Sequence, residues 1–242
     1  MVTRSTSAPF AATRPFYIGV ALVAVIIAFV GFWPTYFGPL LAGTVMKRTL
    51  IHVHAAIFLG WLLVFVAQTT FAARGRIDLH IKLGNIGIGY GILMILVGVL
   101  VTFSEFAVRI HAGAVAEAQG RLLGPLLDMA VFAPLFAAAV YYRFKPQLHK
   151  RLMIVATTAL LIAAVTRMRF LGTPGHPALV MLVWTSPILL ALGYDFAKRR
   201  IVHPVYVLGL VLLLLESPMV RRVARGTEAW QGISGWFVTF VN

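Results

Sequence analysis

Four residues capable of chemistry stand in or beside long apolar runs: His54, Asp128, Arg167 and Glu216. A charged side chain at membrane depth costs at least ~2.5–3.5 kcal/mol on insertion scales, so such groups turn inward and pair or line a pathway. Asp128 and Glu216 set against Arg167 would make a nearly neutral cluster, and His54 would carry a proton into or out of it. Two uses stay open for this set. One is an interhelical salt bridge that fixes the bundle; the other is a site that binds a small ligand or couples protons.

Three further histidines share a pattern. "RIDLH", "KPQLH" and "RRIVH" each put a basic residue four positions before a histidine and an aliphatic residue just before it, giving His80, His149 and His203. If the three turns converge, these imidazoles could hold a divalent metal. The same setting suits ordinary interfacial residues that contact lipid phosphates, with Asp78 and Asp195 as supporting partners or turn residues. A haem b would need axial imidazoles, for which His54 is available with His111 or His176 from loops on the same side. His80 would lie roughly a membrane thickness from His54, so one haem cannot use both. His52 and His54 point ~200° apart on a helix, which leaves His54 facing the stripe of Phe58, Trp61, Phe65 and Gln68 and His52 at the interface. No HExxH, HxxxH or GxSxG motif occurs, and with no cysteine there is no disulfide, thiolate site or thiol nucleophile.

The elements that must position these groups are helices in a membrane. Of 242 residues, 60% are hydrophobic and 12% charged, and mean hydropathy is +0.92. These values mark an all-α integral membrane protein and a single transmembrane domain. Seven stretches are expected to cross ~30 Å of hydrocarbon: 16–33, 51–73, 84–104, 122–142, 152–170, 178–194 and 201–219. The first has no small-residue cleavage site after it and reads as a retained helix. Up-and-down threading then brings His54, Asp128, Arg167 and Glu216 to one level near the outer face.

Twelve of the 21 basic residues fall on the amino-terminal side, which predicts a cytoplasmic amino terminus and an outer carboxyl terminus. Arg221, Arg222 and Arg225 oppose this, unless some of them serve a buried site instead of a loop. The net charge of +14 lies in clusters beside the spans, which points to the bilayer and its anionic headgroups and not to nucleic acid.

Trp61 and Trp184 each precede one of the patterned histidines by 19 positions, which suggests one leading helix followed by three related hairpins. Gly87 and Gly91 have GxxxG spacing and predict close helix approach, and Pro134 and Pro187 predict kinks. The stretch "EFAVRIHAGAVAEAQGR" reads as an outer loop with a short surface helix, and 226–242, with Trp230, Trp236 and Phe237, as an amphipathic interfacial tail.

"HAAIFLGWLLVFVAQTTFAARGRIDLHIKLG" followed by "QLHKRLM" resembles a widespread bacterial family of uncharacterised multi-pass membrane proteins. Its pattern runs HGxxFxxW, LFxxQ, GRxxLHRxLG and HKRLM, met here by His54, Phe58, Trp61, Gln68, Arg76, His80, His149 and Met153 among others. Ala55 stands in place of the pattern's Gly, and Ile81-Lys82 in place of its basic pair. The resemblance implies a seven-helix fold in a bacterial inner membrane and no assigned reaction. The sequence therefore leads to a small-ligand or proton-coupling membrane protein, with a haem or metal redox protein and an assembly subunit of a membrane complex as the alternatives.

Overall fold

The computed structural model describes residues 14–44, 47–171 and 176–241. Among them there is no strand. The apolar runs become α1 (Arg14–Phe32), α3 (Thr49–Ala73), α4 (Ile77–His111), α5 (Val115–Tyr141), α6 (Pro146–Ala159) and α8 (Pro177–Arg199). A wide π turn at Trp33–Phe37 carries α1 into α2 (Gly38–Leu41), and it begins beside Pro34, which has no N–H for an ordinary helical bond. Among the described residues six helical segments are long and apolar enough to cross a membrane, from Pro15–Leu41 to Pro177–Arg199. The chain is a multi-pass membrane protein.

The seventh expected span is shorter than 201–219. α9 covers Pro204–Leu215, 12 residues, or ~18 Å at ~1.5 Å per residue, less than the hydrocarbon thickness. The reason is local: Ser217 accepts a hydrogen bond from Val220 N at 3.5 Å and Pro218 follows it, a start signal for a new helix. That helix is α10 (Pro218–Arg225), and α11 (Glu228–Val238) follows with Thr227 as its N-cap.

The expected outer loop is also different. Residues 105–121 belong almost wholly to α4 and α5, which meet at a turn closed by Gly113 at φ +76°, a conformation that glycine takes without cost. α4 has 35 residues and runs ~52 Å, so its far end projects past the apolar layer. An ion-pair ladder of Arg48, Glu105, Arg109, Glu117 and Arg121 decorates that projection. The tail forms the short helix α11, anchored on one face: Trp230 packs with Phe106, Ile110, Leu122 and Leu123 and donates from Nε1 to the Gln119 carbonyl at 3.1 Å. Trp236 and Phe240 stay exposed.

Side-chain contacts assign the helix ends to two faces. At one end, called the basic end here, the starts of α1, α4, α6 and α9 meet the last turns of α3, α5 and α8. The start of α3 and the last turns of α4 and α9 mark the far end. The core between them contains Trp61, Phe132, Phe136, Val155, Trp184 and Ile188. Gly91 lies against the ring of Phe136 with no room for a β-carbon, as close helix approach requires. Helices α5 and α8 continue through Pro134 and Pro187.

The helix expected at 152–170 breaks at Leu160–Leu161 and resumes as α7 (Ile162–Val165). The Thr158 carbonyl accepts from Leu161 N at 3.0 Å and from Trp184 Nε1 at 2.9 Å. Trp61 Nε1 donates to the neighbouring Thr157 Oγ1 at 3.3 Å. The two tryptophans at equal offsets thus meet consecutive residues of α6.

Candidate functional site

At the far end, α5, α9 and α10 bring three buried charges together. Arg221 lies one turn into α10, and its Nη2 donates to Asp128 Oδ1 at 2.5 Å. The same Nη2 stands 2.8 Å from Glu216 Oε1, out of line for a hydrogen bond, so among the described residues neither Glu216 oxygen has a hydrogen-bond donor. Relative exposures are 8%, 3% and 7% for Asp128, Glu216 and Arg221, so the cluster is shielded from bulk solvent. Burying a carboxyl group without donors is costly, and two carboxylates meeting on one guanidinium nitrogen repel each other.

Arg225 follows Arg221 by one helical turn, and both guanidinium groups lie over Gly124 of α5, 3.1 and 3.7 Å from where its β-carbon would stand. The absent side chain makes that seat. The expected partner of the two acids was Arg167, and Arg221 takes this role instead. Arg167 follows the end of α7, folds back to its own Ala163 carbonyl and lies 5.0 Å from the centroid of the Phe32 ring. It stays within electrostatic reach of Asp128 and His54. His54 packs its ring 4.2 Å from that of Phe58, and its buried Nδ1 has no hydrogen-bond partner among the described residues. Four of the six groups around this site, His54, Asp128, Arg167 and Glu216, are legible in the sequence as intramembrane polar residues, whereas Arg221 and Arg225 read there as loop charges. The signal for them was Ser217-Pro218 with Arg221 and Arg225 one and two turns on.

No protein-family model, curated protein or solved structure matches the chain. The chemistry therefore rests on geometry alone.

A second buried cluster sits at the basic end. Asp195, fully buried, accepts from Arg151 Nε at 2.9 Å and Nη2 at 2.5 Å, from the Tyr17 hydroxyl at 3.1 Å and from the Tyr206 hydroxyl at 3.4 Å. Arg151 Nη1 also donates to the Gln147 side chain at 3.2 Å. This carboxylate is saturated with donors, the arrangement that lets a buried ion pair persist. It ties α1, α6, α8 and α9 together.

The three patterned histidines do not form one ligand set. His149 Nδ1–H donates to the Ala139 carbonyl at 2.8 Å and His80 Nδ1–H to the Gln68 carbonyl at 3.3 Å, so each clasps the end of the preceding helix. Their rings stand 6.3 Å apart. His203 instead caps α9, its Nδ1 accepting from Val205 N at 3.3 Å. Among the described residues no three His, Asp or Glu side chains are placed to hold a metal ion. His111 and His176, at the end of α4 and the start of α8, are both exposed.

Proposed function

We propose that this multi-pass membrane protein takes up and releases a proton at the Asp128–Glu216 pair and couples that step to binding of a small anionic ligand beside Arg167 and Arg225. The observation that carries the reading is Glu216. A buried carboxyl with no hydrogen-bond donor, forced to share Arg221 with a second carboxyl, is poorly built as a permanent salt bridge and well built to hold a proton. The pair and Arg221 sum to one negative charge when both acids are ionised and to zero with one proton bound. Arg167 and Arg225 then add positive charge that favours an anion.

The same reading places the chain in the bacterial inner membrane with its basic end toward the cytoplasm and the proton site near the outer face. Burial of Arg221 supports that orientation, because it removes an opposing charge from the loop count. The likeness to bacterial multi-pass proteins supports the compartment.

Thermal unfolding of the detergent-purified protein with succinate or inorganic phosphate, at mildly acidic and mildly alkaline pH, tests the coupling. Stabilisation that depends on pH and is lost in Arg167→Ala or Glu216→Gln is the expected result. Equal unfolding temperatures with and without either anion at both pH values would leave the site as an interhelical tie.

A further inference from the structure

The charges around Asp195 do not balance. Its carboxylate is taken up by Arg151, with Arg199 Nε at 4.0 Å as a weaker neighbour. Lys150 makes no ion pair among the described residues. Its Nζ donates to the Tyr17 hydroxyl at 2.9 Å and lies 4.3 Å from the centroid of that ring. Arg199, whose side chain is 31% exposed, gives Nη1 to Gln147 Oε1 at 3.2 Å, a neutral acceptor. Two cations are thus held half-buried between α1, α6 and α8, with their charge uncompensated.

The surface that follows them in the chain carries exposed Lys198 and Arg200, the latter 5.7 Å from the centroid of the Phe196 ring, and then turns apolar. Phe196, Ile201 and Val202 are about half exposed at the end of α8 and in the turn that follows, and Val207, Leu208 and Val211 continue the exposed face along α9. A molecule that joins an anionic phosphate to a long apolar tail matches this order of cations and hydrocarbon surface. We propose that Lys150 and Arg199 form a phosphate-binding site for an anionic phospholipid, whose acyl chain lies along Ile201, Val202 and the outer face of α9. Tyr17 and Gln147 hold the two cations in place, so the site is set by the fold and not by loose surface charge.

Native mass spectrometry of the full chain released from mixed micelles of phosphatidylglycerol and phosphatidylcholine tests this, with thermal unfolding in inorganic phosphate alongside. One retained phosphatidylglycerol is expected, its occupancy falling about five- to tenfold in Lys150→Gln or Arg199→Gln. Lys198→Gln, at an exposed position on the same helix end, keeps it. Stabilisation by inorganic phosphate that Lys150→Gln removes would assign the same site to a free phosphate group. Equal retention of the two lipids together with no effect of phosphate, or an equal loss in Lys198→Gln, would overturn the proposal.

Discussion

At the residue scale the two buried clusters differ in how completely their acids are satisfied. Asp195 collects donors from Arg151, Tyr17 and Tyr206, whereas Glu216 has none among the described residues. Breaking a saturated buried pair leaves an uncompensated charge and costs about 3–5 kcal/mol. Asp195→Ala is therefore expected to lower stability sharply in reversible denaturant unfolding. Glu216→Gln should leave stability nearly unchanged or raise it, because it removes an unsatisfied charge and keeps the shape. Similar losses for the two variants would mean that Glu216 is a structural ion-pair member after all. His54, Asp128 and Glu216 were legible because charge and imidazole are rare within apolar runs. Arg221 and Tyr206 were not: an arginine after a span looks like a topology signal, and a lone tyrosine in a span looks like packing.

At the element scale, helix type and most spans could be read from hydropathy, since only a run of some twenty apolar residues crosses the bilayer as a helix. Where helices stopped was less legible. The α4–α5 hairpin keeps its helical bonding beyond the apolar layer because residues 105–121 contain no proline, and of their two glycines Gly113 makes the turn while Gly120 stays within α5. α9 ends early because Ser217-Pro218 starts a new helix. The break between α6 and α7 left no proline or glycine behind and is held by tertiary hydrogen bonds. Trp61→Phe should cost about 1 kcal/mol by loss of its bond to Thr157. In a double-mutant cycle with Thr157→Val the two losses should fall short of additivity by about that amount. Strict additivity would show that Trp61 acts by packing alone. A bulkier change, Gly91→Leu, drives into Phe136 and should destabilise by more than 2 kcal/mol, within the range seen for overpacking. Phe136→Ala in the same chain should recover part of that loss.

At the scale of the whole molecule, two buried ion clusters stand at opposite ends of α9, ~20 Å apart over the 13 residues from His203 to Glu216. The basic end gathers Arg74, Arg76, Lys82, Arg143 and Lys145, and the far end presents the ladder around Glu105 and Arg109. The chain has no cysteine, so single cysteines report sidedness without background. Lys82→Cys should react with a membrane-impermeant thiol reagent from the cytoplasmic side only, and Arg109→Cys from the outer side only. The reverse labelling would invert the orientation and put the proton site on the cytoplasmic side.

The shared proton at the far end is the central claim, and infrared spectroscopy reads it most directly. A pH titration of the reconstituted protein, recorded in light and heavy water, should show one protonated-carboxyl band that disappears as pH rises and is absent in Glu216→Gln. Its position should shift in Asp128→Asn, because the two groups meet on one Arg221 nitrogen. A spectrum with no titrating carboxyl band, or a band unchanged in both variants, would contradict the account and leave the cluster as a tie between α5, α9 and α10.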